Sequence, residues 1–213
     1  MTSRLVFLIL LIMFLAWQAT GQEPLRTVQL PRPDTTGGKP LMQVLKDRRT
    51  SRSFAAKELS DQIMSNLLWA AFGINRPDGR RTAPSARDWQ EIEIYVALPG
   101  GLFLYEARAH ALRQVLHADI RSKTGMQDFV GEAPVNLVYV AALEEAKTQQ
   151  GDESLLYMGA DCGCIAQNVY LFCASEGLGT VVRGMVDRKE LASVMKLRPD
   201  QRILLAQTVG YTK

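Results

Sequence analysis

The spacing of hydrophobic positions changes several times along the chain, and each change marks an element. After Pro40, Leu41, Val44 and Leu45 share one helical face, and Arg48 and Arg49 close the last turn. The stretch from Leu59 to Asn75 repeats the helical period. Ser60 is a good N-cap, Ile63, Leu67, Ala70 and Ala71 form an apolar stripe, and Gly73 is a stop. From Glu91 the pattern alternates, turns at Gly100 and Gly101, and alternates again to Val115, which predicts strands. The nearly continuous apolar run from Ala133 to Leu143 fits a buried strand.

The segment from Ser154 to Gly177 has no Pro and is apolar over most of its circumference, so it should be a central buried helix. Gly159 and Gly163, with Ala160 and Ala166 nearby, would let another helix approach closely, as at a subunit interface. The stretch Gly179–Met185 reads as a strand running into a turn, and an amphipathic helix capped by Asp187 and a final strand ending near Tyr211 complete the chain. Helices, antiparallel strands, a long helix and then strand–helix–strand fit an α+β sheet covered by helices better than regular βαβ alternation.

The N-terminus follows a different pattern. Arg4 precedes an apolar run of thirteen residues, Leu5 to Trp17, and Ala19 and Gly21 are small residues at a cleavage position. Residues 1–21 therefore read as a secretory signal peptide. The run is short of the roughly 20 residues that span a bilayer, although an uncleaved signal anchor is the alternative. Neither a lipoprotein Cys nor a twin-Arg pair accompanies it. The expectation is export to the periplasm or the extracellular space, with no stable membrane span after cleavage. Residues 22–39 carry Pro24, Pro31, Pro33, Gly37 and Gly38 and read as an extended arm, leaving 40–213 as one domain.

Apolar content of 47% and a formal charge of +3 describe a globular chain with no global case for nucleic-acid binding. The positive charge is local. Lys46, Arg48, Arg49 and Arg52 fall within seven residues, interleaved with Thr50 and Ser51. Such a cluster suits a phosphate, because guanidinium groups bind it through forked, charge-assisted hydrogen bonds. A helix C-terminus complementing its dipole is the other account. Cys162, Cys164 and Cys173 read as buried small side chains, and with two His residues they make no convincing metal site. His110 and His117, seven apart on expected strands, read as surface groups on opposite faces.

Four stretches, in order, resemble the nitroreductase family of FMN-dependent oxidoreductases. They are RRTSRSF (Arg48–Phe54), APSARDWQEIEIYV (from Ala83), GADCGCIAQNVYLFCASEGLGTV (from Gly159) and LAQTVGY (to Tyr211). The GLGT and PSA…EIYV patterns lean toward the dehydrogenase branch that includes azoline oxidases. The likeness covers nearly all of the chain from Pro40 to Tyr211. It implies an antiparallel-rich α+β fold that dimerises, with FMN at the interface. It also implies hydride transfer through flavin N5 between a donor and a small-molecule or peptide substrate.

By that resemblance Arg48 and Arg52 would take the phosphate and ribityl end, with Arg49 and Thr50 supplying further donors. Pro84 and Ser85 would lie along the flavin, Asp88 and Gln90 near its pyrimidine edge, and the Gly184 backbone would face N5. Three positions depart from the family pattern. Asp88 stands where many members have Asn, and as a carboxylate it accepts hydrogen bonds but cannot donate them. A turn or cap role is its alternative. Arg183 would hold an anionic substrate or stabilise charge at flavin N1–O2, or else lie on the surface. Many relatives continue past the Gly-Tyr step and deliver another basic residue to the phosphate; here either Lys213 serves or the phosphate site is one cation poorer. NAD(P)H is expected to be optional, since nicotinamide cofactors are scarce outside the cytoplasm. The competing functional reading is a non-catalytic binding protein that retains the fold.

Overall fold

The computed structural model describes residues 24–144 and 152–213. The expected signal peptide, residues 1–21, lies outside the described residues. In chain order the elements are β1 (Thr27–Gln29), α1 (Leu41–Asp47), α2 (Asp61–Phe72), β2 (Ile92–Leu98), β3 (Gly101–Glu106), β4 (Ala111–Leu116), α3 (Phe129–Glu132), β5 (Val135–Ala142), α4 (Asp152–Glu176), β6 (Gly179–Arg183), α5 (Arg188–Met195) and β7 (Gln201–Gly210). Seven strands form one sheet in the order β1-β4-β3-β2-β5-β7-β6, with every neighbouring pair antiparallel. This is the α+β architecture the sequence pattern predicts.

Local chemistry explains the boundaries. The Ser60 side chain accepts the Ile63 amide at 3.3 Å and starts α2, while the Asp187 carboxylate accepts the Glu190 amide at 2.9 Å and starts α5. The β2–β3 hairpin needs Gly101: its φ is 130°, and a Cβ there would lie 2.2 Å from the Leu116 carbonyl oxygen. All eight residues of β5 are buried, which accounts for its continuous apolar run. Leu137 and Tyr139 face α2 and α4, while Val138 and Val140 face α5 and its Leu191 and Met195.

Two expectations are refined. The long helix is buried on one side only. Met158, Cys162, Ile165 and Val169 sit on the sheet, whereas Leu156 is 69% exposed and Gly159, Ala160, Gly163 and Cys164 are open. The face made of small residues has no cover among the described residues. Similarly, α1 buries only Val44 and leaves Leu41 and Met42 exposed. The segment expected as an extended arm includes β1, which pairs with β4 from Thr27↔Arg113 to Gln29↔Ala111.

His110 corrects a sequence expectation. It is not on a strand face but in the β3–β4 turn, with φ 47°. Its Nε2 lies 2.7 Å from Ser65 Oγ and its Nδ1 3.0 Å from the Tyr105 hydroxyl. Ser65 Oγ donates its one proton to the Pro31 carbonyl at 2.6 Å, so Nε2–H is the donor to Ser65 and Nδ1 accepts from Tyr105. A neutral, half-buried imidazole thus ties the N-terminal arm to α2 and the sheet.

Candidate active site

The arginine-rich segment after α1 is laid against the edge of the sheet. Ser51 donates its amide to the Thr180 carbonyl at 2.9 Å, Ala55 donates to the Tyr211 carbonyl at 2.8 Å, and Phe54 bridges to Thr212 with its ring buried. This close approach requires Gly179, where a Cβ would meet Thr212 Cγ2 at 2.7 Å and Ser51 Cβ at 3.0 Å. Tyr170 of α4 pins the segment from below. Its hydroxyl accepts the Val182 amide at 3.1 Å and pairs with Thr50 Oγ1 at 3.2 Å, and the Arg48 guanidinium sits over its ring at 5.3 Å.

Arg48, Arg49 and Arg52 form no ion pair with a carboxylate among the described residues. Arg49 lines a crevice of about 250 Å³ with Lys39, Ser51 and Thr180. Arg52 lines a neighbouring cleft of about 490 Å³ that also holds Lys213, whose ammonium pairs with Glu132 at 2.9 Å. Gly184 lies exposed just past β6. Asp47 lines the first crevice and Asp128 and Glu132 the second, yet none of the three arginines is ion-paired among the described residues, so their guanidiniums fit the phosphate end of FMN.

Pro84, Ser85, Asp88 and Gln90 form a second group on a tight loop before β2. Arg87, Asp88 and Gln90 have φ of 54°, 56° and 53°, a left-handed conformation costing about 1–2 kcal/mol per residue. Such strain clusters at functional sites and persists only where surrounding contacts impose it. Here the contacts are local. Ser85 Oγ accepts the Gln90 amide at 2.8 Å, and Gln90 Nε2 donates to Asp88 at 3.0 Å. Gln90 Oε1 accepts from Arg81 Nε at 2.9 Å, so both ends of the Gln90 amide are engaged within the protein. Asp88 Oδ2 also lies 3.8 Å from Arg80. Arg76, Arg80, Arg81 and Arg87 line an adjoining groove of about 410 Å³ with Pro84 and Ser85. Burial lowers the pKa of Arg81, and its guanidinium sits 4.4 Å over the Phe72 ring.

Within one chain the two groups contact α4 at separate points. The strained loop meets α4 at Asp161 and the arginine segment meets it at Tyr170, nine residues apart or about 14 Å along the helix axis.

Arg183 departs from both of its expected roles. It is neither on the surface nor directed at a ligand, being 4% exposed. Its Nη1 donates to the Thr124 carbonyl at 2.8 Å, its Nη2 to Asn136 Oδ1 at 3.0 Å, and its Nε to Thr208 Oγ1 at 3.1 Å. Desolvation lowers its pKa to about 10. Its side chain points to the α5 side of the sheet, where it joins the 121–127 loop to β5 and β7. Sequence reasoning also passes over Tyr170, Glu91 and Asp161. A usable signal existed for Asp161: it is a carboxylate at helical spacing from Met158 and Ile165 on the apolar face.

Comparison with known proteins gives the family and the fold. The model of the nitroreductase family matches residues 45–211. A Methanocaldococcus jannaschii protein whose name places it among the nitroreductases is 30% identical over 189 residues, covering 84% of this chain and 95% of that protein. A crystal structure from Ralstonia eutropha JMP134, titled as a nitroreductase, is 44% identical with a TM-score of 0.84, covering 88% of this chain and 90% of its own. The NADPH:FMN oxidoreductase of Vibrio harveyi complexed with NAD+ shares the fold at 19% identity, with a TM-score of 0.62 over 81% of this chain and 69% of that one. With the family model spanning most of the chain, this protein belongs to the nitroreductase family and is a flavin-type oxidoreductase.

Proposed function

We propose that the protein is an exported homodimeric oxidoreductase that binds one FMN per subunit at the interface between protomers. The observation that carries the FMN assignment is the trio Arg48, Arg49 and Arg52, held on an exposed segment without carboxylate partners among the described residues. Those three would bind the phosphate, Thr50 would add a hydroxyl, and Lys213 would join Arg52 across their shared cleft. Gly184, exposed and without a side chain, would let a flat ring approach the backbone. Bound FMN would accept hydride or electrons at N5 from a donor and deliver them to a small-molecule or peptide substrate.

The separation along α4 supports a site shared between subunits, with the Pro84–Gln90 loop of one protomer completing the arginine site of the other. Exposed Leu41, Met42, Leu156 and Met185 and the open Gly159/Gly163 face give such a dimer apolar surface to bury. An NAD(P)H donor is optional in this reading, and the motif pattern favours the branch that includes azoline oxidases. The alternative of a non-catalytic binding protein loses one of its motives, because Arg183 has a structural occupation.

The test is an absorbance titration of the mature protein with FMN. One equivalent bound per chain, with a shifted flavin band, is expected, and a colourless protein indifferent to FMN would overturn the assignment. N-terminal sequencing of secreted material tests export, with Gln22 expected as the first residue.

A further inference from the structure

Beneath the strained loop two acids meet in the interior. Glu91, just before β2, is 0% exposed, and Asp161, on the inner face of α4, is 5% exposed. Asp161 Oδ2 accepts the Ala86 amide at 2.8 Å, which ties the loop to the helix. The Ser85 hydroxyl donates to Glu91 Oε2 at 3.2 Å and receives the Gln90 amide at 2.8 Å. Glu91 Oε1 is buried and finds no donor among the described residues, although the Glu91 backbone N–H also favours the ionised carboxylate.

Two ionised carboxylates in this position would be opposed by desolvation and by each other. The remaining neighbours offer no counter-charge. On α4 the buried Cys162 thiol is neutral, its pKa pushed up to about 12 by burial and by the charges of the two acids. From β5 the Tyr139 phenol, beside Cys162, donates to Gln207 Oε1 at 2.6 Å. The loop contributes Ser85, and no cationic side chain is among the groups acting on either acid. A proton on Glu91 resolves the arrangement: it turns the orphaned oxygen into a donor, and Asp161, already stabilised by the Ala86 amide, is the acceptor that keeps the charge.

We propose that Glu91 is held as the neutral acid and donates its proton to the Asp161 carboxylate, so that one shared proton clamps the strained Ser85–Gln90 loop onto α4. Glu91 and Asp161 are then positioning residues for the wall of the cofactor site. That functional consequence rests on the FMN reading above, but the clamp itself requires no cofactor. Burial and the neighbouring carboxyl hold Glu91 above the ordinary carboxylate range, and burial raises Asp161 as well, so the two titrate as a coupled pair. An acid with a raised folded-state pKa stabilises the fold at low pH and loses that contribution as the pH rises through the folded value. Alkali should therefore open the clamp.

Infrared spectra of the mature wild-type protein, with and without FMN, provide the test. A protonated-carboxyl stretch is expected at neutral pH in both samples, disappearing as the pH is raised. Trp89 lies inside the loop, edge-on to Tyr157 with ring centroids 6.1 Å apart, so its emission should shift over the same pH range. Glu91→Gln should lack the band, keep its Trp89 emission constant with pH, and unfold with a flatter pH dependence, since an amide donates without titrating. A wild-type protein with no such band at neutral pH, or a band that survives in Glu91→Gln, overturns the proposal. Should Glu91→Gln fail to fold, the wild-type titration alone decides. The two readings separate cleanly: the band without FMN binding leaves the clamp and removes the cofactor assignment, and FMN binding without the band does the reverse.

Discussion

The Arg183 guanidinium donates to the Thr124 carbonyl at 2.8 Å across the α5 side of the sheet. It is a buried cation without a carboxylate partner among the described residues, and its hydrogen bonds bind the 121–127 loop to β5 and β7. Gly125 fits against it so closely that a Cβ there would come 1.8 Å from Nη1. Arg183→Ala should cost about 2–4 kcal/mol in urea unfolding, because it leaves buried acceptors unsatisfied and opens a cavity. Arg183→Lys should recover only part of this, since one ammonium cannot reproduce the fork. A loss of FMN affinity without loss of stability would mean that Arg183 contacts the ligand after all.

Arg48→Ala and Arg52→Ala should weaken FMN binding with little change in Tm. Each charged hydrogen bond to phosphate contributes about 1.5–3 kcal/mol, or roughly 10- to 150-fold in Kd. Fluorescence titration at two salt concentrations measures this, and the variants should show a smaller salt dependence than the wild type.

Gly179→Ala should damage the same site indirectly. The added methyl group meets Thr212 and Ser51, so the arginine segment must shift off β6. Overpacking of this kind costs about 1–3 kcal/mol. Here stability and FMN affinity should fall together, unlike in the arginine variants.

Burial lowers the pKa of His110, as expected for an imidazole whose Nδ1 serves as an acceptor. A base with a depressed folded pKa gives stability that is complete above its unfolded value near 6.5 and is lost as the pH falls through the folded value. Thermal melts should therefore show an acid-side loss of stability that His110→Asn reduces. An unchanged slope in the variant would exclude the assigned tautomer.

Gly163→Arg should break the proposed dimer, because it places a charged side chain on the open face of α4. Sedimentation should show self-association at least 10-fold weaker, which is about 1.4 kcal/mol, with FMN affinity falling in parallel. A variant that stays dimeric would move the interface elsewhere.

Elements set by local chemistry were readable in the chain: the Ser60 and Asp187 caps, the Gly101 hairpin and the continuous apolar run of β5. Roles set by long-range packing were not. Arg183 reads as a ligand group because its neighbours in sequence are Val182 and Gly184, yet its hydrogen-bond partners lie 25 to 59 residues away. His110 reads as a strand residue because the turn that holds it depends on Ser65 and Tyr105. Glu91 looks like an ordinary polar residue beginning a strand until Asp161, from another element, is placed beside it. The arginine segment was legible because its chemistry is concentrated in five consecutive residues.

The order of strands has a practical consequence. β1 forms one edge of the sheet and β6 the other, so six inter-strand steps of about 4.8 Å, or roughly 29 Å, separate the described N-terminal end from the arginine site within a protomer. A tag or surface linkage joined at β1 would start from the edge of the sheet opposite that site. Immobilisation through the N-terminus would therefore attach each protomer at the sheet edge opposite its own arginine segment.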